Sequence, residues 1–123
     1  MARDTEDTLY DILLDPSLDD DVYRALASRR RRYAVYALME WDRVSMDELA
    51  DVLTGWLYAS EYRMATPDDR NRLITELRHE HVHMLRKAGL AGYDSSGDGL
   101  VLPELAYPVA RLLRWARRNE YPN

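Results

Sequence analysis

The chain has 123 residues, a mass of 14.4 kDa and no cysteine, which leaves room for one domain and excludes disulfides and thiolate metal sites. A hydrophobic fraction of 46%, with nine Tyr and three Trp, excludes a disordered chain, and the longest apolar runs are too short to cross a bilayer. The net charge of −5 excludes a uniformly basic surface, but where the arginines cluster decides local contacts with a polyanion.

The N-terminal stretch MARDTEDTLYDILLDP is acidic and has neither the basic n-region nor the continuous apolar run of an export signal, which predicts a cytoplasmic protein. Within it, Leu9, Ile12 and Leu13 at helical spacing predict a short helix over Asp7–Leu14 that ends at Asp15-Pro16. LDDDVYRALAS follows, with Val22, Tyr23 and Leu26 on one side, and Ser28 is placed to cap a second helix, RRRRYAVYALMEW. A turn and an extended residue in DRV lead to Ser45-Met46-Asp47-Glu48, a capping box that opens a helix running to about Tyr58. After the loop SEYRMAT, Thr66-Pro67-Asp68-Asp69 combines a cap, a proline in the first turn and carboxylates facing the helix dipole. A long helix is predicted from 67 to 88, stopped by Gly89. LAGYD, SSGDG and LVLP read as a β-hairpin, and AYPVARLLRWARRNEY as a last helix over 107–119 with Val109, Leu112, Leu113 and Ala116 in one stripe.

The long helix contains His79-Glu80-His81-Val82-His83, which spells the H-E-x-x-H signature of zinc peptidases. At 100° per residue, Leu73, Ile74, Leu77, His81, Met84 and Ala88 share the core-facing arc, while Arg72, Thr75, His79, His83 and Arg86 share the opposite one. His79 and His83 have the spacing of two zinc ligands, with Glu80 beside them. Their metal would sit on the solvent face, however, with no downstream His and only Asp94, Asp98, Glu104 or Glu120 to complete its sphere. Position 81 also holds a His where the peptidases carry an aliphatic or aromatic residue, and Glu76 supplies a charge where they avoid one. The expectation is therefore no catalytic residues, no metal and no cofactor, with His81 as a packed side chain bonded to a backbone carbonyl or a hydroxyl.

Sixteen of the 17 basic residues are Arg, Lys87 being the other, and 14 of the 22 acidic residues are Asp, a bias suited to a high-salt, GC-rich archaeon. The stretches VYRALASRRRRYAVYAL, VSMDELADVL and LITELRHEHVHMLRKAGLAGYD resemble a family of small winged-helix domains widespread in haloarchaea. Arg29–Arg32, Val44 to Ala50, His81 and Ala88 to Leu90 carry the likeness, which covers 21–94; Val82-His83 departs from the L-P that the family usually places after its His. The resemblance implies a mainly α fold with a small β-hairpin wing, a winged helix-turn-helix of the ArsR-like and MarR-like kind with extra N- and C-terminal helices. The whole of 1–123 would be one domain with its core at about 21–102.

Such a fold reads duplex DNA by laying its third helix in the major groove. The DNA-binding candidates are Arg70, Asn71, Arg72, Thr75, Arg78 and His79 on helix 67–88, joined by Arg29 and Arg30 at the opening of the first core helix. The wing DSSGDG has no Arg or Lys, so its contribution to DNA affinity is small. Val109, Leu112, Leu113 and Ala116 are the candidates for homodimerisation, aided by Leu9, Ile12 and Leu13, because an apolar stripe of that size is costly to leave wet. The expected function is a cytoplasmic, dimeric transcription regulator, not an enzyme. The alternative is an adaptor that uses the same fold for protein contacts without DNA.

Overall fold

The computed structural model describes residues 13–59, 61 and 64–120. The helix expected over 7–14 thus falls outside the described residues apart from Leu13 and Leu14, as do Leu9 and Ile12. Helix α1 (Asp20–Leu26) starts where the Asp19 carboxylate accepts the Val22 N–H at 3.0 Å, and α2 (Arg29–Trp41) where the Ser28 hydroxyl accepts the Arg31 N–H. Strand β1 (Arg43–Ser45) leads directly into α3 (Met46–Ala59). Ser45 and Glu48 exchange two hydrogen bonds at that junction, the reciprocal capping expected from their spacing. Thr66 and Asp69 form a second such box, with Pro67 in the first turn of α4 (Pro67–Glu76).

From α4 the chain continues without a break through one π-helical turn (Leu77–His81) into α5 (Val82–Lys87). The Val82 N–H donates to the Leu77 carbonyl five residues back, so one extra residue is accommodated in that turn. This revises the ideal wheel drawn from sequence. The inward face runs Leu73, Leu77, Val82, Leu85, and Met84, placed on the core arc by a uniform 100° step, is only half-buried. Gly89 ends the rod at φ 75°, and the Leu90 N–H reaches back to the Leu85 carbonyl at 2.9 Å.

Strands β2 (Gly92–Tyr93) and β3 (Gly99–Val101) form the expected hairpin, and β1 joins it to give an antiparallel sheet in the order β1-β3-β2. Val44 opposes Leu100 in this register, and both are buried under the helices. The described residues are therefore mainly helical with a small three-stranded sheet. Among them, no helix is long and apolar enough to cross a membrane.

Helix α6 (Tyr107–Glu120) is tied to α2 by side chains of its last turn. Near its end the Glu120 carboxylate takes both arms of the Arg32 guanidinium at 2.7 Å and the Tyr36 hydroxyl at 2.8 Å, while Arg117 pairs with Glu40 at the other end of α2. The Arg32 guanidinium holds the Glu120 carboxyl below its usual range, and burial, then the bond to Glu120, raises Tyr36. The expected dimer stripe lies underneath: Val109, Leu112 and Leu113 are buried in the chain's own core, and Ala116 packs against it. Their assignment as a surface for a second copy is therefore corrected. Periodicity identified the apolar face of α6, but the residues that cover it come from this same chain.

Candidate nucleic-acid interface

The rod from Pro67 to Lys87 is pinned on its inner side, so its outer side is presented as a rigid row. Asn71, Arg72, Thr75, Arg78 and His79 are all exposed there, with His83 and Arg86 continuing the row. All seven are open to solvent, although the Arg86 guanidinium stacks 4.5 Å over the Tyr93 ring. Asp68, Asn71, Arg72, Thr75 and Glu76 line an open concavity along the first two turns.

The individual side chains differ in how free they are. Arg72 is 75% exposed and reaches the Asp69 carboxylate at 3.1 Å, an exposed arm that a phosphate or a base edge can take over at small cost. The Thr75 hydroxyl donates to the Asn71 carbonyl at 3.0 Å, which leaves its lone pairs to accept. Arg78 and His79 make no ion pair among the described residues. Arg70 behaves differently from what its position suggests: it turns toward α3, 2.6 Å from Asp51 and 3.3 Å from Asp47, and braces α4 against α3. It is removed from the base-contact set for that reason. Asp68, Glu76 and Glu80 lie on or beside the row and reduce its attraction for phosphates.

The Arg run at the start of α2 divides by direction. Arg29 and Arg30 are exposed, Arg30 standing 3.4 Å from Glu76. Arg31 and Arg32 turn inward, Arg32 onto Glu120 and Arg31 into a buried network that the sequence did not disclose. Arg31 donates to the Ala25 carbonyl at 2.8 Å, to the Arg24 carbonyl at 3.1 Å and to His81 Nδ1 at 3.1 Å. Because a guanidinium has no acceptor, His81 Nδ1 must be the unprotonated nitrogen and the ring proton sits on Nε2, 3.5 Å from Glu76. His81 is thus buried and bonded to an arginine on another helix, a correction to the carbonyl or hydroxyl partner expected of it. Burial lowers its pKa, opposed by the Glu80 and Glu76 carboxylates and reinforced by Arg31. A His four residues after a core Leu, facing an Arg-initiated helix, was the available signal, but the pairing spans 50 residues and no local rule gives it.

The H-E-x-x-H stretch therefore serves the rod. His81 is an internal acceptor, Glu80 stands 3.6 Å from Arg31, and His79 and His83 face solvent. Among the described residues no group of three or more His, Asp and Glu side chains comes together as a metal set.

The hairpin loop is closed on itself. One Asp94 oxygen accepts from the Ser96 hydroxyl at 2.7 Å and from the Gly97 and Gly99 amides, and the other receives Arg43 from β1. The Ser96 bond and then Arg43 hold the Asp94 carboxyl far below its ordinary value. Arg43 crosses directly over Gly99, where an added Cβ would lie 2.6 Å from the guanidinium carbon. The Gly97 and Gly99 amides are thus already engaged by Asp94, and the Asp98 amide by the Ser96 hydroxyl.

A family model described as a domain of unknown function (DUF7344) matches residues 23–101, from within α1 to the end of β3. No curated protein and no solved structure matches the chain.

Proposed function

The chain belongs to the family of that domain of unknown function, and we propose that it is a winged helix-turn-helix transcription regulator that reads duplex DNA with α4 and the π turn. The order α2, β1, α3, α4, β2, β3 with sheet order β1-β3-β2 supports the winged-helix reading, the hairpin being the wing. The observation that carries the DNA reading is the uncovered row Asn71, Arg72, Thr75, Arg78 and His79 on a helix whose opposite side is locked into the core. Arg at such positions pairs with guanine O6 and N7, Asn with adenine, and each good pair discriminates by about 1–3 kcal/mol. Arg29 and Arg30, at the opening of α2, are placed for backbone phosphates.

The composition suits a haloarchaeal cytoplasm, so the test belongs at high salt. Genomic fragments captured by the purified protein should share a short motif, and Arg72→Ala and Arg78→Ala should each relax preference at one position by about 5- to 150-fold. Capture without any shared motif, or variants with unchanged preference, refutes the reading. A homodimer would set two reading helices one DNA turn apart, and its contact must use a surface other than Val109, Leu112 and Leu113. The competing adaptor reading draws on one observation. Trp41 is 50% exposed at the end of α2 and stacks on Trp56 at 6.1 Å, a surface type enriched at protein contacts. An adaptor would show no salt-dependent affinity for DNA.

A further inference from the structure

The outward side of α6 exposes Arg111, Arg114 and Arg118 together. At about 100° per residue, Tyr107, Arg111, Arg114, Trp115 and Arg118 fall within one arc, opposite the buried Val109, Leu112 and Leu113. No Asp or Glu stands on that arc. The helix holds four Arg and one Glu in a chain whose net charge is −5, and the one Glu is turned inward onto Arg32 and Tyr36. Arg114 and Arg118 make no ion pair among the described residues, and Arg111 lies 5.9 Å over the Tyr107 ring without a carboxylate partner. Tyr107 is 68% and Trp115 41% exposed beside these guanidiniums.

Three long cations held within about two turns, in an acidic protein, repel one another unless a polyanion neutralises them. The spacing and shape select the kind. From Arg111 to Arg118 the backbone rises about 10 Å, about three phosphate steps of about 3.4 Å along one strand of a duplex, and the face of an outer helix is convex. A convex ridge fits the phosphate wall of a duplex, whereas a single strand needs a groove with rings lining it. Exposed Trp and Tyr beside Arg suit the sugar edge of the same wall.

We infer that the outer face of α6, through Arg111, Arg114 and Arg118, is a second, sequence-independent contact for the phosphate backbone of duplex DNA. It is separate from the row on α4 and does not require that row to read bases. With both surfaces engaged the chain grips duplex at two sites, one carrying sequence preference and the other only charge.

The test is the salt dependence of binding to a random-sequence duplex by the full chain, followed by anisotropy over a KCl series. Three phosphate contacts contribute a slope of about −2.7 in log K against log salt. The triple variant Arg111→Gln, Arg114→Gln, Arg118→Gln should lose that much slope, while the corresponding triple Lys variant keeps it. All three side chains point to solvent, and a helical circular dichroism spectrum equal to the wild type's confirms that folding is intact. The proposal stands if the Gln variant's slope falls and the Lys variant's does not, even where no sequence preference is found for α4. It is overturned if the folded Gln variant keeps the wild-type slope, or if the Lys variant loses it equally. It is also overturned if the Gln variant loses binding to phosphatidylglycerol vesicles while its duplex binding is unmoved, since the face would then serve lipid.

Discussion

Helices α4 and α6 are built alike and differ in their neighbours. Each buries an apolar stripe in the common core and turns arginines outward, yet Arg70 and Arg72 of α4 have carboxylate partners while Arg111, Arg114 and Arg118 of α6 have none among the described residues. Arg70 is taken by Asp47 and Asp51, and Arg72 is within reach of Asp69, whereas Arg114 and Arg118 have no such partner among the described residues. A helix whose charges are individually balanced is suited to discriminate between ligands, because each contact must be exchanged for a better one. A helix with surplus charge attracts any polyanion. Counting arginines would have ranked the two faces the same.

The comparison requires that both apolar stripes really belong to one core. Breaking that premise has the largest effect. Leu113 is fully buried, so Leu113→Asp loses the leucine's packing, about 2–5 kcal/mol, and adds an unpaired buried carboxylate costing several more. Against the roughly 5–15 kcal/mol that holds a small domain together, the variant should lose its cooperative thermal transition. A folded variant of halved mass in light scattering would restore the stripe to a dimer contact.

How much of this was legible follows from the range of the interactions involved. Helix starts are local events: Ser28, the Ser45/Glu48 pair, the Thr66 cap with Pro67, and the Gly89 stop all act within a few residues and were read correctly from spacing, although the return bond from Asp69 to Thr66 was not. The inward turn of Arg31 and Arg32 was not legible, because their partners lie 50 and 88 residues along the chain. The π turn was hidden for a different reason. Val82, Met84 and Leu85 are all apolar, so either helical frame fills the core and the pattern does not choose between them. The row on α4 was legible in outline, but which of its arginines are already occupied depends on α3.

The next effect tests how the middle of the rod is held. Arg31→Met would leave His81 Nδ1 and the Ala25 carbonyl without the Arg31 donor in a buried place, the Arg24 carbonyl keeping the Ala27 N–H. Losing that donor costs about 1–3 kcal/mol, visible as a lower urea midpoint at unchanged slope. If the midpoint stays put, the π turn is held by packing alone.

A smaller and pH-dependent effect comes from the same ring. His81 has its pKa lowered in the folded chain by burial, so on acidification the unfolded chain binds the proton first. The stability that depends on a neutral His81 is therefore fully present above the unfolded value near 6.5 and is lost progressively as pH falls from there toward the folded pKa. The carboxylates with lowered pKa, Glu120 and Asp94, titrate in a more acidic window and do not mask it. In His81→Gln the amide can accept from Arg31 and donate toward Glu76 at any pH, so its stability should be flat between about pH 7 and 5.5, where the wild type declines. Parallel curves would mean that some other group titrates.

The smallest effect sharpens the contrast between the two helices by making one resemble the other. Asp69 serves α4 twice: one oxygen accepts the Thr66 amide to close the capping box, and the other receives Arg72. In Asp69→Asn the carbonyl can keep the cap while the amide releases the guanidinium, so Arg72 becomes as unbalanced as the arginines of α6 with little change in the helix start. One freed cation adds at most about one phosphate contact, and the salt slope for random duplex should steepen by about 0.9. Preference for any selected sequence should fall in step, because non-specific affinity rises while the base contact is unchanged. If the slope stays constant in a variant of wild-type thermal stability, the Asp69 pairing does not restrain Arg72, and the difference between the two faces must lie in Asp68, Glu76 and Glu80 instead.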